Sequence, residues 1–279
     1  VMHQSLRTKT YTKYAQELID KNLAYCCFCT SERLEKMRKK QTEAKLAPKY
    51  DRRCLNLSNE EIQKKLNAGE KYVIRMKVPE GKTEFTDIVR GKVKFNHNEI
   101  DDQILIKSDN FPTYHLANVI DDHEMGITHV IRGEEWLPST PKHILLYNAF
   151  GWQLPQFAHL PLILAPDKSK LSKRHGAVSV IEFKQQGYLP EALLNYLALL
   201  GWNPGNDQEI FSLSELISKF DLNKVHSAGA IFDINKLDWM NGEYIKKLNL
   251  DKLFELCLPY LNCHPELDSG SKKISNQTR

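Results

Sequence analysis

No apolar stretch in this 279-residue sequence is long enough to cross a membrane as a helix. The longest uncharged run lies between Lys142 and Asp167, and Gly151, Pro155, Gln156 and Pro161 interrupt it; a spanning helix needs about 20 mostly apolar residues. No apolar core follows Arg7, Lys9 and Lys13, so the first residues do not read as a signal peptide, and Val at position 1 suggests a start inside a longer reading frame. Cysteine is scarce and uneven: Cys26, Cys27, Cys29, Cys54, Cys257 and Cys263 make no secreted disulfide framework and point to a reducing, cytoplasmic compartment. A large excess of charge of one sign is absent too. Thirty-nine Lys and Arg against thirty-five Asp and Glu leave +4, which excludes an acidic disordered tail and does not by itself establish a nucleic-acid partner. There is no internal repeat. The length suits roughly two domains at about 100–200 residues each.

Periodicity organises what remains. Tyr11, Tyr14, Ala15 and Leu18 recur with helical spacing. One short helix is expected near Ser31, and another from Ser58, with Glu61 completing a capping box, to Gly69. From Tyr72 the period becomes two: Tyr72, Ile74, Met76 and Val78 alternate with Val73, Arg75 and Lys77. Further strands are expected over Asp87–Val89 and Lys92–Phe95, turning at Arg90-Gly91, and over Gln103–Lys107. A helix over about Tyr114–Asp122 then leads to an apolar strand, Ile127–Ile131, a helix entered through Thr140 and Pro141 and ended by Gly151, and a strand at Leu160–Leu164. That strand–helix–strand spacing is a βαβ unit with a buried parallel sheet, so the fold class is α/β. Helices over Leu189–Leu200, Ser212–Phe220 and Lys236–Leu248 follow, and the residues from about His264 read as a polar tail.

Directly after the βαβ strand comes a basic loop, Asp167-Lys168-Ser169-Lys170-Leu171-Ser172-Lys173-Arg174, with four cations against one anion. Loops at the C-terminal ends of parallel strands are where α/β folds bind ligands, and lysine suits polyphosphate; a solvated surface loop is the alternative. The Lys170-Leu171-Ser172-Lys173-Arg174 run resembles the second signature, the KMSKS loop, of class I aminoacyl-tRNA synthetases. Its company narrows the resemblance. The stretches Tyr114 to His123, Val130 to Trp136, Pro190 to Leu197 and Phe232 to Asn241 stand in the order found in bacterial glutamyl-tRNA synthetases, and the likeness runs from about Gln4 to Tyr260.

The resemblance implies the second half of a class I Rossmann-type catalytic domain, an α+β insertion and a C-terminal helical stem-contact region. It divides the chain into residues 1–23 as the end of the first catalytic half, 24–112 as the acceptor-binding insertion and 113–165 as the second catalytic half. Residues 166–262 become the KMSKS-type loop with the stem-contact helices, and 263–279 the tail. The implied activity is glutamate–tRNA ligation: ATP with Mg²⁺ converts glutamate to glutamyl-adenylate, which esterifies the 3′ end of tRNA. Lys170, Ser172, Lys173 and Arg174 are the implied ATP contacts, with Lys173 acting on the phosphates during the reaction. Arg132 is assigned to the side-chain carboxylate of glutamate, with Tyr114, Asn118 and Trp136 lining the pocket. Spacing adds that Tyr114 and Asn118 share one helix face, and that an arginine at a strand end meets a planar carboxylate with two parallel hydrogen bonds. Read one at a time, Tyr114 and Trp136 fit a packed core better than a pocket, and Arg132 fits a surface bridge to Glu134 or Glu135 equally well. Asp121, Asp122 and His123 read as helix-end and positioning residues.

Some members of the family hold zinc in the insertion through a Cys-x-Cys pair and a later Cys-x-His. Cys27, Cys29 and Cys54 match, while Asn56 stands where the histidine belongs; Tyr50 or Cys26 is left as the fourth ligand, and buried thiols without metal are the alternative. Arg33, Arg38, Lys39, Lys40, Lys45, Lys49, Arg52 and Arg53 supply charge for the tRNA acceptor stem. None of the ten histidines forms the family's His-x-Gly-His signature, so the chain reads as a monomeric fragment with little activity of its own. Two rivals stand beside this reading: a tRNA-modifying glutamyl ligase of the same fold, which normally lacks a stretch like Ile181–Leu248, and an inactive tRNA-binding remnant. Arg132 disfavours a glutaminyl enzyme.

Overall fold

The computed structural model describes residues 2–172, 174 and 179–261, with side chains through Leu258. The chain divides into two compact units, residues 1–160 and 161–279. Among the described residues no helix is long and apolar enough to cross a membrane.

The first unit opens with α1 (Thr8–Asp20), whose stripe Tyr11, Ala15 and Leu18 is wholly buried, as its spacing predicts. A strand the periodicity gives no sign of follows, β1 (Ala24–Cys27). All four of its residues are buried, so the alternation that marks a half-exposed strand is missing. Helix α2 (Ser31–Glu43) starts where the Thr30 side chain accepts from the Arg33 amide, and α3 (Asn59–Asn67) starts on the expected Ser58–Glu61 capping box. Strand β2 (Val73–Met76) buries Ile74 and Met76, and Arg75 between them as well.

The next hairpin departs from expectation. Its strands are β3 (Lys82–Asp87) and β4 (Gly91–Asn96), so β3 ends where a strand was expected to begin and residues 88–90 form the turn. Asp87 explains the stop: its Oδ1 accepts from the Val89 and Arg90 amides and closes the chain on itself. Gly91, at φ +71°, occupies the left-handed position the turn needs. Then come β5 (Ile104–Ile106), α4 (Tyr114–Glu124), β6 (His129–Gly133), α5 (Thr140–Phe150) and β7 (Gln156–Leu160). The βαβ unit is present, but both strands are displaced. β6 starts at His129, and the return strand occupies Gln156–Leu160, upstream of the expected Leu160–Leu164, because Pro161 cannot continue a ladder.

These strands form two sheets. Strands β1, β2 and β5 make an antiparallel sheet with β2 in the middle, and the other sheet has the order β4-β3-β7-β6. β7 runs parallel to β6 over five residue pairs and meets β3 at Asp87↔Phe157. The hairpin from residues 82–96 thereby extends the parallel sheet. Tyr11, Leu18, Leu105, Leu116, Ile120 and Leu146 knit α1, α4 and α5 into one core. The carboxylate of Asp121 ties α4 to the start of the chain, accepting from Arg7, Tyr11 and Gln4 at 2.9–3.0 Å. His123 stacks flat on Trp152. Both serve packing.

The second unit contains β8 (Ile163–Leu164), α6 (Val180–Gln185), α7 (Pro190–Leu199), α8 (Leu213–Lys219), β9 (Ala230–Ile231), α9 (Ile234–Lys246) and α10 (Leu250–Leu261). Phe183, Leu193, Tyr196, Phe232, Leu237 and Met240 form its main core. β8 and β9 pair in parallel, and Gly229 precedes β9 because a Cβ there would meet Leu164 Cδ1 at 2.9 Å and the Leu162 carbonyl at 3.0 Å. Buried Asn195 binds three segments together: its Nδ2 donates to the Glu209 carbonyl, and its Oδ1 accepts from the Phe211 amide and the Tyr244 hydroxyl.

Candidate active site

Arg132 lies near the end of β6, an edge strand whose neighbour β7 carries His159 opposite it in register. The guanidinium sits among polar groups from three elements. Its Nε donates to His159 Nε2 at 3.1 Å, and its Nη2 to the Thr140 hydroxyl at 2.9 Å and towards His143 Nδ1 at 3.4 Å. Nη1 is buried and has no hydrogen-bond partner. Burial draws the Arg132 pKa below its ordinary value, with Tyr114 opposing, yet a guanidinium stays charged.

A guanidinium only donates, so its partners' protonation follows from geometry. His159 must accept at Nε2 and carry its proton on Nδ1, which donates to Asp87 Oδ2 at 2.6 Å. His143 must accept at Nδ1, so its Nε2 donates to His115 Nδ1 at 2.9 Å. Burial lowers the pKa of His159 against the pull of Asp87. Burial, with Lys142 and Arg132 adding to it, brings His115 down to about 4, and burial takes His143 well below its usual range. Burial alone would raise the Asp87 carboxyl, but hydrogen bonds from His159, Arg90 and Val89 outweigh it and keep the group ionised.

The expected pocket residues fall in with this arrangement. Tyr114 and Trp136 pack ring to ring at 4.9 Å, and the Arg132 guanidinium carbon is 5.9 Å from the Trp136 ring. Both rings are more than a third exposed, so neither is a core residue. Asn118, one turn along α4 from Tyr114, has a buried Oδ1 without a hydrogen-bond partner. Glu134, one of the two expected surface-bridge partners of Arg132, pairs with Arg90 at 2.7 Å. Periodicity and spacing missed Asp87, Thr140, His143 and His159. Thr140 reads as a helix cap, but Ser139 holds that place and the threonine hydroxyl accepts from Arg132 instead. A histidine inside the otherwise apolar run Phe157-Ala158-His159-Leu160 was the available signal, since a buried polar side chain needs a partner.

Of the implied nucleotide contacts, Lys170, Ser172 and Arg174 belong to the second unit, and Lys173 lies outside the described residues. The loop has a built base. The Ala165 amide donates to the Ser169 carbonyl, the Leu171 amide to that of Ile163, and Lys168 adopts φ +64° at the turn. Lys170 and Arg174 are exposed, while Ser172 is half-buried.

The three cysteines converge. The Cys27, Cys29 and Cys54 sulfurs lie within 4.8 Å of one another, with Cys29 and Cys54 at 3.5 Å. The Tyr50 hydroxyl is 3.3 Å from both Cys27 and Cys29 sulfurs and accepts from the Cys54 amide. Cys26 points the other way, because neighbours on β1 face opposite sides and Cys27 faces Tyr50. Hydrogen bonding from Cys54 lowers the Cys27 pKa to about 4, whereas burial raises that of Tyr50. Zinc–sulfur bonds of about 2.3 Å put tetrahedral sulfurs about 3.8 Å apart, so the three sulfurs fit three positions of a structural zinc, with the Tyr50 hydroxyl beside them. Among the predicted RNA-facing cations, Arg33 pairs with Asp51, Lys49 donates to the Asn98 carbonyl and Arg52 to Asp102. Arg38, Lys39, Lys40, Lys45 and Arg53 are exposed.

Comparison with known proteins shows the family and the fold. Residues 1–239 match the family described as tRNA synthetases class I (E and Q), catalytic domain. The glutamate–tRNA ligases of Alkaliphilus metalliredigens and Treponema denticola are each 54% identical to the chain over 92% of its length. Those stretches are 52% and 51% of the two relatives, so the chain spans about half the length of the curated relatives it matches. The glutamate–tRNA synthetase structure from Elizabethkingia anophelis superposes with a TM-score of 0.86 at 41% identity, covering 98% of this chain and 59% of that one. The glutamate tRNA ligase of Elizabethkingia meningosepticum, solved in complex with its amino acid, gives 0.82 at 44% identity over 88% of this chain and 54% of the other. In sequence and in fold, this chain belongs to the class I tRNA synthetases (E and Q), within their catalytic domain.

Proposed function

We propose that the chain carries the glutamate-reading part of a glutamate–tRNA ligase. The observation that carries this reading is Arg132: a guanidinium oriented on one edge by His159 and Thr140, with Nη1 buried and unpaired beside the Tyr114–Trp136 rings. A side-chain carboxylate pairs with such a group by charge-assisted hydrogen bonds, which a neutral amide matches only weakly. In the activation step the other carboxylate of glutamate attacks the α-phosphorus of ATP and pyrophosphate leaves. A terminal ribose hydroxyl of tRNA then attacks the acyl carbon, losing its proton as AMP departs.

Lys170, Ser172, Lys173 and Arg174 are the groups for the phosphates, and Lys173 is the candidate to follow the departing pyrophosphate. A cation there accelerates the step only by binding the transition state more strongly than ATP. Magnesium, when bound, shields phosphate charge. Magnesium bound with a nucleotide usually takes its oxygen ligands from phosphates and water, with one or two carboxylates. Zinc, when bound, would cross-link β1 to the segment carrying Tyr50 and Cys54 within the part proposed to meet the tRNA acceptor stem. Calorimetric titration of glutamate into the wild-type chain and Arg132→Ala tests the reading. Binding to the first and none to the second is expected; equal affinities contradict it.

A further inference from the structure

Arg132 is half-buried, with Nη1 wholly shielded, and it is cationic without a bound anion. Among the described residues no carboxylate comes within ion-pairing distance of it; its hydrogen-bond partners are two imidazoles and a hydroxyl. An arginine partly withdrawn from water ordinarily takes a carboxylate, and one is close by: Asp87, 1% exposed, on the far side of the His159 ring. The ring stands between them, with Nδ1 towards the anion and Nε2 towards the cation.

His159 is fixed on every side. It is fully buried, its amide donates to Asp87 Oδ1 at 3.1 Å, and its carbonyl accepts from Arg90 Nε at 3.1 Å. Asp87 is equally fixed, since Oδ1 takes three backbone amides (Val89, Arg90 and His159) and leaves Oδ2 for the ring. We propose that His159, locked by Asp87, is a positioning residue that orients Arg132 while withholding a counter-charge from it. This neutral spacing makes the pocket prefer a side-chain carboxylate to the isosteric amide. The inference rests on the pocket reading above and names what sets its selectivity.

The physical argument is a difference between two ligands. An arginine already paired with aspartate offers little net charge, and glutamate and glutamine would then compete on shape alone. With only neutral groups in hydrogen-bond contact, and Asp87 and Asp122 acting on it only from a distance, the guanidinium keeps most of its charge free, and the ligand's carboxylate completes the ion pair. An amide leaves that cation unpaired, which is the costly outcome.

The three amides on Asp87 Oδ1 also make the relay testable. In Asp87→Asn those N–H groups hold the amide oxygen in the Oδ1 place, so the NH₂ must face His159 Nδ1. The ring then carries its proton on Nε2, against Arg132 Nε–H, and the guanidinium is dislodged. The experiment uses the full chain labelled with ¹⁵N-histidine, with the His159 signals identified by their loss in His159→Gln. Wild type is expected to show a neutral ring protonated at Nδ1, and Asp87→Asn one protonated at Nε2.

Calorimetry with glutamate and glutamine on the same proteins reads selectivity. Asp87→Asn should lose about tenfold or more in glutamate affinity, the fold-change of one hydrogen bond to a charged group, with a smaller effect on glutamine. His159→Gln, which keeps a neutral acceptor, should retain the preference, and His159→Glu, which places an anion against Arg132, should abolish it. A wild-type ring charged or protonated at Nε2 overturns the relay, and so does a folded Asp87→Asn or His159→Glu protein with unchanged preference. The tautomer measurement uses no ligand, so it separates that failure from a failure of the pocket, which appears as glutamate affinity indifferent to Arg132→Ala.

Discussion

A guanidinium partly withdrawn from water and without a bound anion is costly to hold, and Arg132 is held by geometry that reaches far along the chain. Its partners come from residues 140, 143 and 159, and the carboxylate behind them from residue 87. The residues named by motif, Tyr114, Asn118, Arg132 and Trp136, were legible because they stand close together in a recognisable order. The relay was not, since nothing local marks a histidine as the partner of an aspartate 72 positions away. Replacing Arg132 by lysine keeps the charge and loses the planar fork, so glutamate affinity should fall by about tenfold on titration. An unchanged affinity would mean that the fork is not used. The pH dependence follows from the histidines. His115 has a folded pKa of about 4, below the ordinary value of about 6.5. Its neutral form therefore stabilises the fold above pH ~6.5, and that contribution is lost as pH falls towards about 4. The melting temperature should drop across this window, and less steeply in His115→Phe; identical slopes would show that His115 does not contribute.

At the scale of elements, strand β1 and the segment from Tyr50 to Cys54 are joined by sulfur and phenol groups rather than by a ladder. If that junction holds zinc, chain expressed with the metal should carry about one ion per molecule. Cys27→Ser and Cys54→Ser should each lose it, melting at a lower temperature, and Tyr50→Phe should bind it more weakly. Metal analysis showing no zinc in wild type contradicts this. The helices were legible from caps and periodicity: the Ser58–Glu61 box and the stripe of α1 lie where their chemistry puts them. Strands fared worse for physical reasons. β1 is buried on both faces and so lacks alternation, β3 stops at the turn Asp87 builds, and β7 ends at a proline.

At the scale of the molecule, two compact units each carry part of the proposed chemistry, the amino-acid pocket in the first and the basic loop in the second. The class of fold was legible from one βαβ pattern and a set of ordered motifs. Arg38, Lys39, Lys40, Lys45 and Arg53 are exposed, and if they meet an RNA acceptor stem the binding must respond to salt. Each phosphate neutralised should lower affinity roughly threefold to fourfold between about 50 and 200 mM salt. A salt-independent affinity, measured by filter binding or anisotropy, would exclude that contact. The central claim is that Arg132 stands charged and uncompensated for a ligand's carboxylate, and a crystal of the chain soaked with glutamate tests it most directly. A side-chain carboxylate oxygen about 2.7–2.9 Å from Arg132 Nη1, with His159 still between Asp87 and the guanidinium, is the predicted result. Glutamate bound elsewhere, or Arg132 turned onto a protein carboxylate, would contradict it.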